Sequence, residues 1–381
     1  MIRIASITAF SLFVLPLQAC ISPSGQEEEG ETLFQNLSAE VAGIELVSVA
    51  EDLDDPWGMD FLPDGSLLVT EKSGRLLHIA MPGGEQKEVQ GVPVSREIGQ
   101  GGLMDVLVQN EPGEKPWIYL SYAVEKDETY STRIARARWS AGRLEDFTIL
   151  FTAMPYYPTK RHFGSRLVIV DDYLYFTVGD RGNRDYAQDL SRHNGKVMRL
   201  HRDGSVPDDN PFVATVDARP EIWTFGHRNL QGLALHPDGK TLWSVEHGPR
   251  GGDEINVLRR GANYGWPIIT YGEEYAGGKI GEGTHREGME QPLKYYVPSI
   301  ATCGAAFYSS ERYPDWKDSF LVTALRGTHL NKIDLAGAGL GREQRLFGDQ
   351  QKRFRDVQQG PDGYVYVLAG GDSLLKLVPA E

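Results

Sequence analysis

One short pattern recurs along this chain and restricts what it can become: a Pro-Asp-Gly turn followed by a strand-forming run. Residues 61–70 (FLPDGSLLVT), 235–245 (LHPDGKTLWSV) and 359–368 (QGPDGYVYVL) carry it in full, and 167–178 (LVIVDDYLYFTV) is a version without proline. Two weaker copies fill the gaps, 105–108 with 117–122 and 305–308 with 319–323. The outcome is six units of roughly fifty to seventy residues, each a set of short strands without a convincing long helix. A unit of that size cannot cover both faces of its own sheet, and repeating the sheet around an axis lets neighbours cover one another. The expected fold is all-β, a six-bladed β-propeller of four-stranded antiparallel blades over residues 42–381. The alternating run 44–49 (IELVSV) is expected to complete the last blade beside 374–377 and so close the ring. The 43 glycines, 21 prolines and 10% aromatic residues suit turns and sheets. A β-sandwich plus a second domain is the competing architecture, and recurrence across the whole chain speaks against it.

Ahead of the repeats the composition changes. Met1-Ile2-Arg3 gives a small positive start, and residues 4–17 are apolar but too short and too early to span a membrane. Residues 1–19 therefore read as an export signal. The junction Leu17-Gln18-Ala19-Cys20 resembles a bacterial lipoprotein processing site, where cleavage before Cys20 and acylation of its thiol would tether the mature chain to a membrane. The other reading is an ordinary secretory signal with an incidental cysteine. Residues 20–41, polar and acidic, read as a flexible tether. The expected location is exported, as a periplasmic or cell-surface lipoprotein held on a bacterial membrane only through that anchor. Cys303, the second of two cysteines, reads as a small buried hydrophobe. A formal net charge of −14 argues against nucleic acid as a partner.

In a ring of blades, irregular loops converge at one end of the axis. Five such segments stand out: 99–102, 160–166, 226–229 with 248–254, 325–327 and 353–356. The turn at 247–252 ends in Asp253 and Glu254, and turn carbonyls, carboxylates and a tyrosine oxygen suit a hard cation such as calcium. A surface hairpin with solvated charges has the same spacing. His162 follows two cations, Lys160 and Arg161, which favour a neutral ring, as a base requires; a surface histidine would look the same. Arg353-Phe354-Arg355 alternates, so both guanidiniums leave one face of a strand, either for an anionic ligand or for ion pairs with Asp356. The segment GDRGNRD (179–185) reads as a turn. Zinc spacings, a P-loop, a GxSxG elbow and a GxGxxG placed between strand and helix are missing from the sequence.

The motifs LDDPWGMDFLPDG, GQGGLMDV, HFGSRL, FGHRNLQGLA, HGPRGGDEIN, GANYGWP, LRG and RFRDVQQGPDG together resemble the soluble quinoprotein sugar dehydrogenases, the glucose/sorbosone dehydrogenase family that uses pyrroloquinoline quinone (PQQ). HFGSRL looks more like the broad aldose dehydrogenase branch than the glucose-specific one. The resemblance implies oxidation of the C1 hydroxyl of an aldose to a lactone, with PQQ and Ca2+ as cofactors and an external quinone or cytochrome as electron acceptor. It implies that Arg326, Arg353 and Arg355 pair the cofactor's carboxylates, that Gln100 and Asn229 bond its edge, and that Tyr275 packs on its ring. Arg228 would face the quinone oxygen, and His162 would take the sugar's hydroxyl proton. Carbonyls of Gly248 and Pro249 would hold one calcium; Glu254 and Tyr264 would hold a second, structural one. Two departures are visible: Arg326 stands where the family often has lysine, and Arg161 replaces an aspartate before the histidine, with loss of an orienting acid. The alternatives are a calcium-bearing propeller hydrolase of the lactonase type and a non-catalytic, surface-tethered binding propeller.

Overall fold

The computed structural model describes residues 35–37 and 43–380. The expected signal at 1–19, Cys20 and most of the tether lie outside the described residues.

Six antiparallel sheets account for nearly all the regular structure. Blade one is Pro56–Phe61, Leu67–Glu71, Leu76–Ile79 and Gln86–Glu88; blade two is Leu103–Gln109, Trp117–Lys126, Thr129–Ser140 and Arg143–Thr152. Blade three is Leu167–Val170, Tyr173–Val178, Lys196–His201 and Ile222–Phe225; blade four is Leu230–Leu235, Leu242–Glu246, Asp253–Leu258 and Lys294–Tyr296. Blade five is Thr302–Tyr308, Ser319–Ala324, His329–Ala336 and Gly339–Leu346. Blade six takes Phe354–Gln359, Val365–Ala369 and Ser373–Pro379 from the C-terminus and Ile44–Ala50 from the N-terminus, antiparallel, with Leu46 opposite Leu377. The first strand of each blade touches the first strand of the next, and the sixth touches the first. This is the six-bladed β-propeller that the repeats predict, closed by the strand expected to close it. Gln35–Leu37, inside the segment read as a tether, adds a parallel fifth strand to blade five beside Gly339–Leu346.

The core lies at the seams. Each junction between blades holds its own apolar cluster: for example, Phe320, Val322 and Ile333 of blade five pack on Trp243, Val245 and Ile255 of blade four. Because each sheet is covered on both faces, the second strands lose the alternating pattern of a half-exposed sheet. Leu67–Glu71, Ser319–Ala324 and Val365–Ala369 are buried at every position. Outer strands such as Gln86–Glu88 are exposed throughout.

The Pro-Asp-Gly turns all join first strands to second strands, so they share one end of the ring. The aspartate caps the turn: Asp64 accepts the Ser66 N–H at 2.9 Å, and Asp238 accepts those of Lys240 and Thr241, both at 2.8 Å. The glycine takes positive φ, +83° at Gly65 and +79° at Gly363, which a side chain would resist. The opposite end receives the loops entering first strands and those between second and third strands. All five irregular segments fall there.

Truncating Phe320, fully buried against Trp243 and Phe307, to alanine is expected to cost about 3–5 kcal/mol in chemical denaturation. The control Val94→Ala, at a site 93% exposed, should stay within about 0.5 kcal/mol.

Candidate functional site

At the axis, Arg166 lies between two carboxylates, with Nη1 2.9 Å from Asp105 and 3.0 Å from Asp356. Its guanidinium also sits over the Trp57 ring at 4.5 Å. Burial pushes both aspartates up, although Arg166 pulls them down. Asp105 also accepts the Leu167 N–H, and Asp356 that of Met59. Blades one, two, three and six are thereby tied beneath the converging loops.

Above this floor is a cavity of about 420 Å³ lined by Gln100, Asn229, Gln231, His247, Arg353 and Arg355, with Lys72 and Asp55 at one side. Asp55 is occupied by Lys72. Asp356 is spent on Arg166, which decides between the two readings of the alternating arginines. Among the described residues neither Arg353 nor Arg355 has a carboxylate partner; Arg355 Nη1 reaches only Gln231 Oε1 (3.4 Å) and Cys303 Sγ (3.3 Å). Phe354 between them is fully buried, so both arginines face the cavity. Cys303 is buried, as expected. In a chain this acidic the cavity is cationic. His247 Nε2, buried without a hydrogen-bond partner, is another polar atom in its wall.

A second hollow, about 210 Å³, is lined by His162, Asp180, Arg184, Arg228, Pro249, Trp266, Glu274 and Tyr275. His162 Nδ1 is 2.6 Å from Asp180 Oδ1, while Asp180 Oδ2 accepts the Trp266 indole N–H at 2.8 Å. A carboxylate on Nδ1 fixes that nitrogen as the proton-bearing one and leaves Nε2 as the base. The Asp180 carboxyl is held low: burial opposes ionisation, but the His162 contact and Arg228 outweigh it. Burial lowers the His162 pKa, Asp180 raises it, and Arg228 and Arg161 lower it, with a net downward shift. Of the two cations that precede the histidine, Arg161 acts as the sequence suggested, but burial leads. Asp180 also corrects the expectation that Arg161 leaves the histidine without an orienting acid: the acid comes from the segment read as a plain turn. Arg181, fully buried, lies over Phe163 at 3.4 Å and donates to the carbonyls of Thr159 (2.7 Å) and Arg161, so it braces the loop that carries His162. Gly179 permits the close crossing: a Cβ there would stand 2.3 Å from the His162 carbonyl oxygen.

Hydrogen bonds join the linings of the hollow and the cavity. Gln100 Oε1 accepts the His162 N–H at 2.7 Å, and Asn229 Oδ1 accepts that of Gly164 at 3.2 Å. Arg228 donates through Nη1 to the His247 carbonyl (2.9 Å) and through Nη2 to the Tyr275 hydroxyl (3.4 Å). His162, Arg228, Gln100, Asn229, Tyr275, Arg353 and Arg355 are thus gathered from four blades. Arg326 is not with them. The Arg326 and Gly327 N–H groups both bond to the Ile300 carbonyl, and the Arg326 side chain lines a neighbouring cavity of about 560 Å³ with His329 and Arg345.

In the 247–254 turn, Asp253 is an organiser: it accepts from the N–H groups of Gly248, Ile300 and Ala301 and from the Ser299 hydroxyl. Among the described residues the carbonyls of Gly248 and Pro249 accept no hydrogen bond. Glu254 is buried opposite Glu246 on the adjacent strand. Burial pushes both carboxyls up to about 8, and for Glu254 the Glu246 charge adds to it. Glu246 is 3.1 Å from His227 Nδ1, and Glu254 accepts from Asn256 Nδ2 at 3.1 Å. Tyr264 stacks on His227 at 4.5 Å, but its hydroxyl is spent, donating to the Val257 carbonyl (2.6 Å) and accepting from the Arg259 N–H (2.9 Å). The tyrosine oxygen left for a cation is the main-chain carbonyl. Sequence reading missed Asp180, Trp266, Lys72, Glu246 and His247. For Asp180 a signal existed: an acid placed one glycine beyond a buried strand, Tyr173–Val178.

NMR titration should find the His162 ring changing charge below the ordinary value of 6.5. Asp180→Asn should lower it further, because the carboxylate's hydrogen bond and charge hold the proton on. Since the folded value lies below the unfolded one, His162 subtracts stability as pH falls through 6.5 toward its folded value.

A family model described as glucose / sorbosone dehydrogenase matches residues 53–376. An aldose sugar dehydrogenase of Escherichia coli is 39% identical over 378 residues, 97% of this chain and 98% of that one. The crystal structure of the soluble E. coli aldose sugar dehydrogenase in its apo form superposes with a TM-score of 0.86 at 39% identity, over 88% of this chain and 99% of that one. The PQQ-bound aldose sugar dehydrogenase of Streptomyces coelicolor superposes with a TM-score of 0.72 at 26% identity, over 88% and 98%.

Proposed function

We propose a specific reaction for this chain, which belongs to the glucose/sorbosone dehydrogenase family: oxidation of the C1 hydroxyl of an aldose to the lactone, with PQQ and calcium as resident cofactors. The observation that carries it is the His162–Asp180 pair in the wall of a hollow whose lining is hydrogen-bonded to that of a cationic cavity.

The residues present fit the implied groups. PQQ carries three carboxylates, and the cavity offers Arg353 and Arg355 without carboxylate partners, beside Lys72 and the unpartnered His247 Nε2. Arg326 would join them only by turning out of its own cavity. The hydrogen-bond-free carbonyls of Gly248 and Pro249 are hard oxygen donors for one calcium. Glu254, with Glu246 beside it, makes a buried pair of carboxyls whose ionisation burial opposes, a cost that a second, structural calcium would offset. When bound, the quinone supplies a hydride acceptor and the calcium a Lewis acid on its carbonyl.

The protein's own part is proton handling and orientation. His162 lines the hollow, and its Nε2, left free by the Asp180 contact at Nδ1, takes the proton of the C1 hydroxyl; Asp180 keeps the ring in that tautomer and stabilises the imidazolium that follows. Arg228, held by the His247 carbonyl, keeps a fixed cation at the junction of hollow and cavity, where negative charge develops. The low pKa of His162 keeps the base available below neutral pH. The hydrolase alternative needs carboxylates free to hold a metal on the axis, and Asp105 and Asp356 are engaged by Arg166 there. The proposal extends to an external quinone or cytochrome as electron acceptor and to export with a lipid on Cys20.

Purified apo-protein is expected to gain dye-linked aldose oxidation only when both PQQ and calcium are added; inactivity across a sugar panel under those conditions overturns the reading. His162→Ala should lower kcat by about 10²- to 10⁴-fold, with quinone affinity by absorbance titration unchanged. Calcium should raise the thermal midpoint of the wild type, and Glu254→Gln should lose most of that increment, because one buried carboxylate is then gone.

A further inference from the structure

We infer that Arg184 and Glu274 latch a short strap over the His162 hollow and set how tightly it holds its sugar, an inference that rests on reading this hollow as the aldose site. The strap is the hairpin of residues 273–279. It is pinned at its base, where Arg250 and Glu273 exchange main-chain hydrogen bonds of 3.1 and 3.0 Å and Ile280 packs with Ala187 and Trp266. Within it, the Glu274 N–H donates to the Gly278 carbonyl at 2.9 Å and the Gly277 N–H to the Glu274 carbonyl at 2.8 Å. Beyond that base the tip is solvent-exposed, with Tyr275 68% exposed.

Two side-chain contacts hold the tip to the body. One is the Arg228–Tyr275 contact already described. The other crosses the hollow: Arg184, on the one-turn helix Arg184–Ala187 of blade three, meets Glu274 of blade four fork to fork, Nη1–Oε1 at 2.6 Å and Nη2–Oε2 at 3.2 Å. Both side chains line the hollow that holds His162. The pair is therefore a wall of the site whose two halves, packed together at the base through Ile280 and Ala187, meet above it through charge. Its exposure, 43% for Arg184 and 39% for Glu274, makes it weak and salt-sensitive. A buried, strong pair would seal the hollow; this one yields to let a sugar in and re-forms behind it. Both members can also accept or donate to hydroxyls at the end of the sugar remote from C1.

The test uses the holoenzyme reconstituted with PQQ and calcium. Arg184→Ala and Glu274→Gln are each expected to raise the aldose KM about two- to fivefold, the range for an exposed ion pair, with a smaller change in kcat. The exchanged pair, Arg184→Glu with Glu274→Arg, should restore most of the wild-type KM. Rising salt should raise KM in the wild type and not in the single variants. In the absence of sugar, amide hydrogen exchange across 274–279 should quicken in both single variants. Wild-type KM in the single variants, or a salt effect that persists in them, overturns the latch. A wild type that oxidises no aldose overturns the site reading instead, and unchanged exchange at 274–279 overturns the latch whatever the activity.

Discussion

Arg166 holds the ring together where its loops converge. It comes from the loop entering blade three and grips Asp105 of blade two and Asp356 of blade six. All three side chains are buried, and Arg166 favours the ionised form of both aspartates while the Asp356 charge works against that of Asp105; removing one partner of such a group typically costs about 3–5 kcal/mol. The same contacts decide the electrostatics above. By occupying Asp356, Arg166 leaves Arg353 and Arg355 without carboxylates, and a strongly acidic chain acquires a cationic cavity. The floor of the site and its charge are thus one arrangement.

The loops above that floor share a problem that the blades do not have. Strand carbonyls are satisfied by the ladder, but irregular loops pressed into the top of the ring carry buried carbonyls without one. Long cations solve it. Arg181 serves Thr159 and Arg161, Arg228 serves His247, and Lys196, fully buried, donates to the carbonyls of Tyr186 (2.7 Å), Ala187 (3.1 Å) and Asn194 (2.7 Å). Burial lowers the pKa of both Lys196 and Arg181. A cation aimed at carbonyls adds no carboxylate, and the site above keeps its positive balance.

What could be read from the sequence follows from how local each cause is. The Pro-Asp-Gly turns announce themselves because cap and glycine lie within a few residues, and six of them in full or degenerate form fix the blade count. Closure by Ile44–Ala50 was legible because an alternating strand stood ahead of the first repeat without a blade of its own. The common face of Arg353 and Arg355 follows from strand period. Asp180 was lost because its partner, His162, lies 18 residues back and meets it only across a loop crossing. Arg326 shows the reverse: membership of a loop at the right end of the ring does not fix which side of that loop a side chain leaves. Tyr264 shows that an oxygen of suitable type can already be satisfied five and seven residues from itself.

The sixth blade joins the earliest of the antiparallel strands, Ile44–Ala50, to the last. Ile44–Ala50 must wait unpaired until Ser373–Pro379 exists, more than three hundred residues later along the chain. The cage of loops from residues 99 to 355 is therefore not drawn tight on a nascent polypeptide. A chain broken off a few residues early would have every functional side chain yet no closed circle to hold them in register.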